Sequence, residues 1–125
     1  MTQKIAINKD FGGFAISDQA FEMFLSLKNI EFEATETSSA FIGKNYWAKG
    51  HAEDEEYYLN QYELCKERDD IHLIAVIETL GELANSNFAD IAIVEIPDDV
   101  KWHIHEYDGI EYVAENHRTW RAPHI

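Results

Sequence analysis

Two arginines and an indole stand close together in the stretch His117-Arg118-Thr119-Trp120-Arg121. A guanidinium fork beside an aromatic ring can hold a phosphate and stack a base, which is how small nucleotides are often gripped. Lys101 could add a cation to that group. Ser17, at the start of an expected helix, could offer the helix N-terminus to the same anion. The competing structural reading pairs Arg118 and Arg121 with acidic surface and packs Trp120 as a terminal staple, on its own chain or on a second subunit.

His103 and His105 lie two apart in an expected strand, so both imidazoles point to one face. That spacing can present two ligands to a metal. A third ligand would have to come from elsewhere in the chain, and neither HExxH nor paired CxxC patterns occur. No metal and no other cofactor is therefore expected, with His103 and His105 the candidates if one is bound. Cys65 has Lys66 and Arg68 beside it in sequence, and positive neighbours can lower a thiol pKa. No nucleophile signature such as GxSxG accompanies it, and the carboxylates are too numerous to single out an acid–base pair. No catalytic residue is assigned.

The glycine pair in Asn8-Lys9-Asp10-Phe11-Gly12-Gly13-Phe14 precedes an expected helix. It lacks the three spaced glycines of a dinucleotide loop and the Gly-Lys-Ser/Thr ending of a P-loop. A bend at positive φ, with the Phe11 and Phe14 rings buried on either side and Ser17 capping the helix, accounts for it.

The elements that must position these groups follow from periodicity. Residues 4–8 alternate as a short strand, and 18–29 repeat apolar residues at helical spacing through Ala20, Phe21, Phe24, Leu25 and Leu27. Residues 31–37 and 37–50 read as a strand, a loop and a second strand that could pair as a hairpin. The segment 51–69 reads equally as helix or strand. Asp69 and Asp70 start a helix with an apolar face of Leu73, Val76, Ile77, Leu80, Leu83 and Ala84, ending near 85–87. Residues 90–97 form a strand closed by Pro97, and 101–115 two strands around Asp108-Gly109, a strong hairpin signal. Strands and helices do not alternate regularly. The expectation is one compact α+β domain over residues 1–125, a mostly antiparallel sheet packed with two main helices.

Composition narrows the function classes. With 46% hydrophobic residues the chain has material for a core. No apolar run approaches the roughly 20 residues that span a bilayer. The start MTQKIAIN shows no secretion signal, and a single cysteine forms no internal disulfide, so a cytoplasmic location is expected. Twenty-four acids against ten lysines and arginines give a net charge of -14, which opposes direct binding to nucleic acid or anionic lipid and permits binding to basic partners. Glu53, Asp54, Glu55 and Glu56 concentrate that charge into a candidate protein-interaction surface. Sixteen aromatic residues in so small a chain also leave room for a homodimer, which would bury the rings that one core does not.

Two blocks of the sequence resemble a recurrent family of small bacteriophage proteins without an assigned function. One is the N-terminal strand with Phe-Gly-Gly-Phe-Ala-Ile-Ser (11–17), similar to that family's Tyr-Gly-Gly-Phe-X-Leu/Ile-Ser. The other runs from Ile93 to Trp120 and carries Ile-Pro-Asp-Asp-Val, Trp-X-Ile-X-Glu-Tyr-Asp-Gly and His-Arg-Thr-Trp. The helix between them also fits, and the blocks cover about half the chain. Phe11 replaces the expected tyrosine, and His103 and His105 occupy positions the pattern leaves open. The resemblance implies a phage accessory protein in the host cytoplasm, acting on host machinery or defence. It brings no catalytic residues.

Three functions are compatible with these residues. The first is a non-enzymatic accessory protein that binds and modulates a host protein through its acidic surface. The second is a binder or sponge of a small nucleotide signal using Arg118, Trp120 and Arg121. The third is a small hydrolase or metal enzyme.

Overall fold

Alternating apolar residues at the start of the chain form strand β1 (Thr2–Asn8), and the Gly12-Gly13 turn leads from it into helix α1 (Asp18–Leu27). Strands β2 (Phe32–Glu36) and β3 (Lys44–Ala48) follow, then a 3-10 turn at Glu55–Tyr57, the short helix α2 (Gln61–Leu64) and helix α3 (Ile71–Leu80). A second 3-10 turn, Gly81–Ala84, leads to β4 (Ile91–Pro97), β5 (Trp102–Tyr107) and β6 (Ile110–Glu115). The computed structural model describes residues 1–36, 44–87 and 89–116. The fold is α+β, and all its strand pairs are antiparallel: β1 with β4, β2 with β3, and β5 with β6. Among the described residues the pairing is distributed over three two-stranded ribbons rather than one sheet.

The helices start where their capping residues stand. Ser17 Oγ accepts from the Ala20 N–H, and Asp70 Oδ1 accepts from His72 and Leu73 N–H, each satisfying donors that the first helical turn leaves open. Ala20, Phe21, Phe24 and Leu25 of α1 pack with Leu73, Ile74, Val76 and Ile77 of α3 in the core, joined by Ala6 from β1. Ile91 and Ile93 of β4 lie against the same cluster. The β1–β4 ribbon thus turns Ala6, Ile91 and Ile93 to the helices. Gln3, Ile5 and Ile7 alternate to its other face, where Trp102 Nε1 donates to Gln3 Oε1 from β5.

Three expectations about this scaffold need correction. Phe11 is 60% exposed, so only Phe14 of the flanking pair contributes to packing. Leu27 and Leu83 lie outside the apolar faces expected for them, at 40% and 63% exposure. The reason for Leu83 is local: Gly81 takes φ 57 and ψ -126, which ends α3 at Leu80 and rotates the next turn away from the helical face.

Candidate functional site

The segment left open by its mixed composition folds as two short capped turns. Asp54 Oδ1 accepts from the Glu56 N–H, and Asn60 Oδ1 accepts from Tyr62 and Glu63 N–H. The Leu59 N–H donates to the Tyr46 carbonyl, and Trp47 bridges to Tyr58, which fastens this segment along β3. His51 stacks on Tyr57 with ring centroids 3.7 Å apart, and Trp47 meets the Tyr58 ring edge-on at 5.2 Å.

Every residue from His51 to Tyr58 is exposed, so Glu53, Asp54, Glu55 and Glu56 all face solvent beside Tyr57 and Tyr58. Tyr62, one turn further on, is 80% exposed. Acidic carboxylates and the Tyr57 and Tyr58 rings therefore stand exposed together on a backbone fixed by its own cap, with Tyr62 exposed four residues further on. Tyrosine supplies large amphipathic contact area with few rotatable bonds, and an adjacent charge cluster steers a partner of opposite sign.

Tyr62 also lies on the rim of a cleft of about 520 Å³ lined by Gly13, Phe14, Lys66, Arg68 and Glu106, among others. Its floor is an ion pair that adjacency in sequence could not show. Arg68 Nη1 and Nη2 donate to Glu111 Oε1 and Oε2 at 2.6 and 3.0 Å, a bidentate fork. Glu111 is 9% exposed and also accepts from the Asn8 N–H at 2.8 Å. The Arg68 guanidinium lies 3.7 Å from the centre of the Phe14 ring, and the Arg68 carbonyl accepts from the Ala6 N–H. Gln61 spans the cleft wall, with its side chain bonding both the N–H and the carbonyl of Ile16.

The two glycine motifs of the sequence meet at the end of this cleft. Asp108 and Gly109 both have positive φ, 54° and 88°, which makes the β5–β6 connection a type I′ turn. A Cβ on Gly109 would lie 2.6 Å from Gly12 N and 2.8 Å from Gly13 N. Asn8 closes the same junction by donating from Nδ2 to the carbonyls of Asp10 and Gly109. The Gly12-Gly13 turn is thus a backbone-to-backbone contact, as its lack of a phosphate-loop pattern implies.

The other candidates divide. Ser17 donates its hydroxyl to the Leu83 carbonyl and caps α1, so only one lone pair remains for any ligand. Lys101 is exposed, with its carbonyl accepting from Asn116. Arg118, Trp120 and Arg121 lie outside the described residues. His103 and His105 are exposed on one face, with ring centroids 6.1 Å apart; His105 stacks on Tyr112, and His103 contacts Asn116. Among the described residues no group of three or more His, Cys, Asp or Glu stands close enough to hold a metal.

Cys65 corrects the expectation drawn from its basic neighbours. Burial pushes its thiol up to about 12, Asp70 adds to the shift, and Arg68 and Lys28 oppose it too weakly to reverse it. A buried neutral thiol is a core residue and a poor nucleophile.

No helix among the described residues is long and apolar enough to cross a membrane. No protein-family model, curated protein or solved structure matches the chain.

Proposed function

We propose that this chain is a binding protein without catalytic activity of its own, and that it docks on a basic surface of a protein partner through residues 53–62. The observation that carries this reading is the exposure of Tyr57, Tyr58 and Tyr62 beside Glu53–Glu56 on capped, well-anchored turns. The resemblance to small phage proteins supports a bacterial host protein as that partner, with modulation of host machinery or defence as the effect. A net charge of -14 favours fast, salt-sensitive encounter with such a partner.

An affinity capture from bacterial lysate at low and high salt tests it, using the wild type and a Glu53→Gln/Asp54→Asn/Glu55→Gln/Glu56→Gln variant. Asparagine preserves the cap at position 54. Partner recovery should fall with salt and with neutralisation. Unchanged recovery in both comparisons would reject the acidic docking surface.

The cleft favours a second reading, a small-ligand binder. Its volume of about 520 Å³ and its Phe14, Tyr62 and Lys66 lining suit a planar, anionic molecule such as a nucleotide. A thermal-shift screen against cyclic and linear nucleotides tests this, since ligand at a hundred times its Kd adds about 2.7 kcal/mol of stability. A flat screen would eliminate the reading.

A further inference from the structure

Strand β4 has one edge on β1, and its other edge has few partners. The Lys9 N–H donates to the Asp90 carbonyl, and the Asp98 N–H to the Met1 carbonyl, at the two ends of the ribbon. Residues opposite one another sum to the same register throughout, as in Ile5 with Val94 and Gln3 with Ile96. Because bonded pairs alternate along an antiparallel ladder, Ala92, Val94 and Ile96 bond to β1, while Ile91, Ile93 and Glu95 direct their N–H and carbonyl groups outward. The same rule sends Ala6 and Asn8 outward on β1, where Arg68 and Glu111 meet them. Asn85 Oδ1 accepts from the Ile91 N–H. Among the described residues, the N–H and carbonyl of Ile93 and of Glu95 have no such partner.

On the other ribbons the edges are covered or carry charge: the Leu59 N–H and Tyr58 cover the outer side of β3, β2 carries Glu33 and Glu36, β5 carries His103, His105 and Glu106, and β6 carries Glu111 and Glu115. β4 is Ile-Ala-Ile-Val-Glu-Ile-Pro, with one charge in seven residues, and the carboxylate of that Glu95 accepts from Thr2. Ile91, Ala92, Ile93, Val94 and Ile96 are all only partly buried.

We propose that two copies of the chain pair antiparallel through β4 about a two-fold axis at Val94, forming a four-stranded sheet. In that register Ile93 faces Glu95 of the second copy and Glu95 faces its Ile93. The pairing satisfies all four outward groups on each copy through four inter-copy bonds. A register centred on Ile93 would instead set Glu95 against Ile91, whose N–H Asn85 already holds. The occupant is a second copy because the required strand is self-complementary and nearly uncharged, whereas the chain as a whole carries a charge of -14. Two such bodies repel, so dimerisation strengthens as salt rises, opposite to docking on a basic partner.

Sedimentation equilibrium with amide hydrogen exchange on the wild-type chain tests the proposal. Raising salt from about 0.1 M to about 1 M shortens the screening length from about 10 Å to about 3 Å, and should raise the dimer fraction. Ile93 and Glu95 amides should become protected in step with it. Glu95→Pro removes an N–H that β1 does not use and two of the four bonds, and should weaken association by about tenfold to a hundredfold. Its circular dichroism and melting curve report whether it folds, and the wild-type exchange result stands without it. A chain that stays monomeric at every concentration and salt overturns the proposal. So does a dimer in which Ile93 and Glu95 amides exchange as fast as in the monomer.

Discussion

The Arg68–Glu111 junction and the acidic segment from Glu53 to Tyr62 treat their charges in opposite ways. At the junction a guanidinium fork, a carboxylate, a backbone N–H and an aromatic ring saturate one another, and little of it reaches solvent. Along Glu53–Glu56 the carboxylates face water, and among the described residues only Asp54 uses its side chain locally, as a cap. The junction therefore holds three distant parts of the chain together, and the acidic segment leaves its charge exposed to solvent. A buried charge is committed to the fold, because removing one member leaves the other desolvated and unpaired. An exposed charge contributes little to stability and remains available for recognition.

The sharpest way to break this comparison is Arg68→Met. It should destabilise the protein by about 3–5 kcal/mol, because Glu111 stays buried without its partner. Adding Glu111→Met should recover much of that loss in a double-mutant cycle followed by urea unfolding. Equal losses in the single and double variants would mean that the pair acts only through packing.

Gly109→Ala comes next, with an expected loss of about 3 kcal/mol, since the new Cβ would strike the backbone of Gly12 and Gly13 at positive φ. Gly13→Ala has nothing within 4 Å of its new Cβ and meets only the conformational penalty, about 1–2 kcal/mol. Thermal melts of the two variants distinguish contact from conformation. Similar losses would remove the close approach as the cause.

Asp70→Ala should cost about 1 kcal/mol through loss of the α3 cap. Asp70 also sharpens the comparison through pH. Burial works to raise its pKa, but the bond from Lys28 and the N–H groups of His72 and Leu73 outweigh it and hold the carboxyl below its ordinary value. A folded-state pKa below the unfolded value, about 3.9, means that this contribution is complete above that pH and disappears as pH falls toward the folded value. Asp70→Asn keeps the cap and should flatten that acid limb in melts across pH. At the small end, Glu55→Gln/Glu56→Gln should change stability by less than about 0.5 kcal/mol while weakening partner capture. A large loss of stability there would make the acidic segment structural after all.

Much of the scaffold was legible because its causes are local. Ser17 and Asp70 mark helix starts by satisfying N–H groups two or three residues on, and Asp108-Gly109 sets a hairpin by tolerating positive φ. The ambiguity of 51–69 was also local: its turns are a few residues long and hold through caps, too short to leave a period. Cys65 shows the opposite case. Lys66 and Arg68 adjoin it in sequence, yet its thiol responds to core burial and to Asp70, which no spacing reveals.

By itself, then, the sequence determined the α+β class, the caps, the hairpin turn and the excess of negative charge. These depend on residue type and on neighbours a few positions away. Only the tertiary structure decided that Arg68 would meet Glu111, that Gly109 would press on Gly12 and Gly13, and that Phe11 would be left outside. Those contacts join residues forty to a hundred positions apart, and their energy comes from desolvation and backbone approach. Both exist only after the chain has brought the segments together.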